Sequence, residues 1–108
     1  MRKLVIALGS VIALTSTTGF AADEGAAMGL LRKSKCLNCH AVETKKDGPA
    51  YREVATKYRG KAEAEDKLIK HITVPNKVKI DGREEPHQMV KSKDPDEIKN
   101  LVSWILSL

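Results

Sequence analysis

The run Cys36-Leu37-Asn38-Cys39-His40 has the spacing C-x-x-C-H, which is that of covalent c-type haem attachment. The chemistry needs this spacing. Two thiols add to the two vinyl groups along one edge of a porphyrin. The histidine directly after the second thiol is then carried under the ring, where its imidazole can bind iron. C-x-x-C alone also serves redox dithiols and zinc sites. A zinc site needs two further ligands, and the chain has only these two cysteines. A thioredoxin-like site needs a βαβ context, and the sequence shows none.

Outward from the motif, the N-terminal end reads as an export signal. Arg2 and Lys3 form a basic start, Leu4 to Leu14 an apolar run, and Gly19-Phe20-Ala21 a small-x-small cleavage site. The apolar run is too short for a bilayer span. The expectation is a signal peptide over 1–21, cleavage after Ala21, a single domain over 22–108 and a periplasmic location. Removal of Arg2 and Lys3 lowers the formal net charge from +5 to +3, since no acidic residue precedes Asp23. Export also fits the chemistry, since bacterial c-type haem is attached outside the cytoplasm, where thiols meet oxidants. No other segment is long and apolar enough for stable membrane insertion. Modest net charge and export argue against nucleic acid as a partner.

The domain is small and poor in aromatics, at 4% of the chain. It lies near the lower size limit for an adequate core. A buried haem would supply the missing apolar volume, so the haem-free chain is expected to fold poorly.

The apolar spacing is helical. Ala26, Ala27, Leu30 and Leu31 predict a helix from Glu24 into Ser34 that delivers the chain to Cys36. Tyr51, Val54, Ala55 and Tyr58 form an i, i+3, i+4, i+7 stripe over Ala50 to Arg59. Leu68, Ile69 and Ile72 predict a helix over Ala62 to Ile72, stopped before Pro75. In the last helix Asp94 serves as N-cap, Pro95 as the first helical residue and Glu97 as the partner in a capping box. Ile98, Leu101, Val102, Ile105 and Leu108 form its buried stripe. Trp104 is expected to pack near the haem or against the first helix around Leu31. Between Pro75 and Asp94 no period persists, and Asn76, Asp81-Gly82 and Pro86 are turn formers. Val78 and Ile80 alternate with lysines, which predicts at most a short extended piece. So long a loop in a small domain usually has a function.

With these residues in place, the chain resembles the short class I cytochromes c of proteobacteria. The resemblance rests on Cys36-Leu37-Asn38-Cys39-His40-Ala41, on Asp47-Gly48-Pro49-Ala50-Tyr51 and on Leu101-Val102-Ser103-Trp104-Ile105-Leu106. It implies an all-α cytochrome c fold, about four helices wrapped around one covalent haem c, held by Cys36 and Cys39. It also implies that the Pro49 carbonyl accepts a hydrogen bond from the His40 ring. Such a bond fixes the tautomer and makes the imidazole a better donor. In the family a loop methionine before the last helix is the sixth ligand, a position that falls here on Met89. The residues agree: Met1 is in the signal and Met28 on a helix, whereas Met89 stands alone in a polar loop. The metal ligands are then His40 and Met89. The sequence departs from the family around Met89, where no proline follows and His87 is a competing ligand. His71 reads as a helix-surface or packing residue.

Arg32, Lys33 and Lys35 precede the motif, Lys45 and Lys46 follow it, and Lys91 and Lys93 follow Met89. Around an exposed haem edge they would form a positive rim, opposed by Glu84 and Glu85, that steers redox protein partners with acidic docking surfaces. The functional expectation is a monomeric, non-enzymatic one-electron carrier. The alternatives are a haem subunit of a larger oxidoreductase, for example one oxidising sulfur compounds, and an open-site haem protein that binds a small ligand.

Overall fold

A computed structural model describes residues 9–13 and 21–108. Most of the expected signal segment, Met1–Ala21, lies outside the described residues. Among the described residues there are four α-helices: α1 (Glu24–Lys33), α2 (Tyr51–Tyr58), α3 (Ala64–Thr73) and α4 (Pro95–Ser107). A 3₁₀ turn spans Cys36–Asn38. Among the described residues no helix is long and apolar enough to cross a membrane.

The outer helices form the base of the fold. Ala27, Leu30 and Leu31 of α1 share one buried cluster with Leu101, Trp104 and Ile105 of α4 and Tyr51 of α2. Trp104 is 5% exposed and lies in the same cluster as Leu31, as its place in the sequence predicts. Each fully buried leucine is worth about 1.5–3 kcal/mol. Two hydrogen bonds set how the helices meet. The Asp23 N–H donates to Asn100 Oδ1 (2.8 Å), and Asn100 Nδ2 donates to the Asp23 carbonyl (2.9 Å). Exposed bonds of this kind contribute about 0.5–1.5 kcal/mol each. Packing therefore supplies most of the energy, and this pair of bonds fixes the register.

Both outer helices are capped by aspartate. The Asp23 side chain accepts from the Ala26 N–H (3.0 Å), and that of Asp94 from the Asp96 N–H (2.9 Å). The expected capping box at α4 differs in detail. Glu97 does not take the Asp94 N–H directly. That N–H donates to Ser92 Oγ (3.1 Å), whose hydroxyl donates to Glu97 Oε2 (2.7 Å). Ser92 thus relays the box, because Asp94 uses its own side chain on the helix.

The segment between α3 and α4 is more ordered than the periodicity predicts. β1 (Lys77–Ile80) and β2 (Arg83–Pro86) form an antiparallel hairpin, with Val78 opposite Glu85 and Lys79 opposite Glu84. Asp81 and Gly82 have φ of +51° and +77°, the left-handed pair of a type I′ turn that suits strand twist. β2 is exposed throughout. It carries no apolar alternation, which is why the sequence pattern alone does not reveal it.

Trp104→Ala should cost about 3–5 kcal/mol, the usual range for a large buried aromatic. Denaturant unfolding of the holoprotein measures this. A loss below about 1 kcal/mol would mean that Trp104 does not hold the α1–α4 contact.

Candidate functional site

The attachment motif lies where α1 ends. Ser34 caps the helix through its backbone N–H, and Lys35 adopts the left-handed conformation at φ +59°. That reversal is normally a glycine role at a helix end, and it turns the chain directly into the Cys36–Asn38 turn. The Cys39 and His40 N–H groups both donate to the Cys36 carbonyl, at 3.2 and 3.0 Å. In a 3₁₀ turn residues i and i+3 eclipse, so Cys36 and Cys39 lie on one side. Both are free thiols of intermediate exposure. Burial pushes the Cys36 thiol up from its ordinary pKa, and the neighbouring Tyr51 hydroxyl partly opposes this.

His40 is held from three sides. Its Nδ1 donates to the Pro49 carbonyl at 2.7 Å. Nδ1 therefore carries the proton, and Nε2 presents a lone pair. The Tyr51 ring stacks on the imidazole at 4.8 Å between centroids and 19° between planes. Gly48 closes the third side. A methyl there would come within 2.5 Å of His40 Cε1 and 2.8 Å of Nδ1, so only glycine fits. Backbone bonds lock the two segments together: Gly48 N–H to Cys39 carbonyl (2.7 Å), Tyr51 N–H to Ala41 carbonyl (2.9 Å) and Arg52 N–H to Val42 carbonyl (3.0 Å). Lys46 Nζ adds a bond to the Leu37 carbonyl at 2.9 Å. The Gly48-Pro49-Ala50-Tyr51 stretch is thus the back wall of the histidine.

The methionine loop is fastened on both flanks of Met89. The His87 N–H donates to the Asn76 carbonyl and the Val90 N–H to the Ile72 carbonyl, both at 2.9 Å. The Lys91 N–H donates to Ser34 Oγ at 2.8 Å. Met89 itself is half-buried. His87 is turned inward. Its ring centroid is 4.0 Å from that of His71 and 6.2 Å from that of His40. Its Nδ1 is buried with no hydrogen-bond partner. Burial first, then the neighbouring imidazoles of His71 and His40, pushes the His87 pKa down to about 4. His71 is also lowered, by burial and then by His40.

His71 is therefore a member of the site rather than of the helix surface. It stands three residues after Leu68 and next to Ile72, on the apolar face of α3, a position that signals inward direction. Gly48 and Ser34 are further residues that the motif reading passes over. Gly48 was visible only as part of a family string. Ser34 carries no signal at all, since a lone serine at a helix end reads as a cap.

The donor set fits a covalent haem. The two thiols are unpaired and close, an oriented imidazole with a free Nε2 follows them, and a buried polar nitrogen opposite lacks a partner. Among the described residues no three histidine, cysteine, aspartate or glutamate side chains are grouped to cage a bare metal ion. The zinc reading of the C-x-x-C pair therefore has no second half.

Known proteins agree with the geometry. The family model for cytochrome c matches residues 23–108. The cytochrome c-551 of Allochromatium vinosum is 43% identical over 82 residues, covering 73% of this chain and 82% of that protein. The cytochrome c-551 of Stutzerimonas stutzeri is 37% identical over 112 residues, covering 100% of this chain and 99% of that protein. Among solved structures, the class 1 cytochrome MtoD of Sideroxydans lithotrophicus ES-1 superposes with a TM-score of 0.76 at 54% identity, covering 81% of this chain and 97% of that one. With the motif, the four-helix frame and these relatives in agreement, the chain belongs to the cytochrome c family, electron carriers built on a covalent haem c.

Proposed function

We propose that the protein is a periplasmic one-electron carrier whose single haem c is held by Cys36 and Cys39 and ligated by His40 and Met89. The observation that carries the reading is the fixed His40 ring. Its Nδ1 is committed to Pro49, so its other ring nitrogen, Nε2, is the one left free to bind iron. When bound, the haem supplies one iron that alternates between ferric and ferrous states, and a methionine ligand favours the ferrous one.

The chain's own residues then have distinct tasks. Cys36 and Cys39 fix the ring covalently. Pro49 sets the His40 tautomer and, by accepting a hydrogen bond from Nδ1–H, strengthens the ring as an iron donor. Gly48 and Tyr51 prevent the imidazole from rotating. Leu30, Leu31, Leu101 and Trp104 form the dry base of the domain. His40 and Met89 would together hold the iron of a bound haem and leave it no substrate site, so the chain acts as a monomeric carrier rather than as an enzyme. Arg32, Lys33, Lys35, Lys45, Lys46, Lys91 and Lys93 are all exposed. The Ser34–Lys91 bond brings the first and last of these groups together, which supports docking of redox partners through acidic surfaces. The apolar start of the chain supports export with cleavage after Ala21.

One observation favours a second reading of the sixth ligand. The His87 ring, whose buried Nδ1 has no partner, lies 6.2 Å between centroids from that of His40, so the two imidazoles could together hold the iron of a bound haem. Bis-histidine ligation would give a carrier of lower potential.

Three outcomes are expected. Expressed with haem-maturation machinery, the wild type should carry the mass of one haem, and Cys36→Ala or Cys39→Ala should sharply lower holoprotein yield. An unmodified wild-type mass from such a strain would remove the attachment reading. In the ferric spectrum, Met89→Ala should abolish the weak charge-transfer band at the red edge of the visible range, while His87→Ala leaves it. The reverse pattern would assign the sixth position to His87. Gly48→Ala should displace the His40 ring, weaken its bond to Pro49 and shift the reduction potential. An unchanged potential and unchanged His40 ring-proton shifts would mean that the wall behind His40 yields without consequence.

A further inference from the structure

We propose that Ser34 is a positioning residue for the methionine loop. Its hydroxyl oxygen holds the Lys91 N–H and so keeps Met89 at its axial position. The proposal rests on the His40 and Met89 reading above.

Ser34 is the one buried polar residue among the described residues, at 0% exposure. A buried hydroxyl is costly unless hydrogen-bonded. The helix cap does not need this hydroxyl, because the Ser34 backbone N–H already donates to Leu30 and Arg32 carbonyls. What the hydroxyl does instead is accept the Lys91 N–H at 2.8 Å, across 57 residues of sequence. The Lys91 side chain is exposed, so its backbone faces inward while its charge remains in water.

The position of this bond gives it its effect. The loop around Met89 has other anchors, at Asn76 and Ile72 on the α3 side and, through Ser92, at Glu97 of α4. Among the described residues the Ser34–Lys91 bond is the only hydrogen bond between the segment 34–40, which carries the thiols and His40, and the segment 87–93, which carries Met89. Ser34 lies two residues before Cys36, and Lys91 two residues after Met89. The bond therefore ties the segment of one axial donor to the segment of the other. Without it the loop is held from α3 and α4 but not from the segment of the thiols, and it can lift locally, a partial opening that leaves the rest of the fold intact. An added ligand binds only the opened form. Its apparent affinity scales with the population of that form.

Imidazole titration of the ferric holoprotein tests this, followed by loss of the methionine–iron charge-transfer band. Ser34→Ala should bind imidazole about fivefold to tenfold more tightly than wild type, the factor corresponding to one net hydrogen bond. Val102→Ala, which deletes buried volume from α4, should lower the unfolding midpoint yet leave imidazole affinity at the wild-type value. Equal affinity in wild type and Ser34→Ala, or the same gain in Val102→Ala, would overturn the proposal. A second measurement needs only the wild type. The Lys91 amide should be protected from hydrogen exchange in the ferric protein and lose that protection when imidazole displaces Met89. Protection that persists would also overturn it. A wild-type spectrum lacking the band would defeat the His40 and Met89 reading and this proposal together. A band present with no effect of Ser34→Ala would defeat the proposal alone.

Discussion

The hydrogen bond from His40 Nδ1 to the Pro49 carbonyl, 2.7 Å long, is the constraint on which the rest of this structure depends. A histidine beside two thiols could take either tautomer and several rotamers, and only one arrangement leaves a lone pair on Nε2 in a fixed direction. The proline ring locks φ, so the Pro49 carbonyl is an acceptor at a rigid point of the backbone. Glycine at 48 lets that backbone approach the ring more closely than any side chain permits. The segment from Gly48 to Tyr51 then begins α2, so the wall behind the histidine is as rigid as a helix start.

The helices serve that geometry. α1 ends in a left-handed residue that throws the chain into the attachment turn. α4 holds α1 by a buried apolar face and by the reciprocal Asp23–Asn100 bonds. α3 and its hairpin supply the opposite side, from which the methionine loop is fastened at Asn76 and Ile72. The segment of the thiols and His40 and the segment of Met89 are thus carried by different elements. Their separation depends on how those elements are joined, which is why a single buried hydroxyl at Ser34 can matter to the iron.

The helical frame was legible because each helix writes its apolar stripe at a period of 3.6, and the cap at Asp94 marks the start of the last one. The C-x-x-C-H motif was legible because its chemistry is local. What the sequence concealed was non-local. β2 is a strand because the Asp81-Gly82 turn folds it onto β1, not because its own charged residues favour extension. His71 joins His87 through the packing of α3 against the loop, and no short-range pattern reports that 4.0 Å contact. The Ser34–Lys91 bond spans 57 residues, beyond any periodicity. The pairing of Ser92 with Glu97 shows the same limit on a smaller scale, since the capping pattern was correct and the atom that bridges it was not foreseeable.

Iron-edge X-ray absorption on the ferric and ferrous holoprotein tests the central claim most directly, because it counts the donor atoms at the metal without substitution. Ligation by His40 and Met89 predicts one sulfur and five nitrogen scatterers in the first coordination sphere, in both oxidation states. A first sphere of nitrogens alone, with no sulfur shell in either state, would contradict it and place His87 in the sixth position.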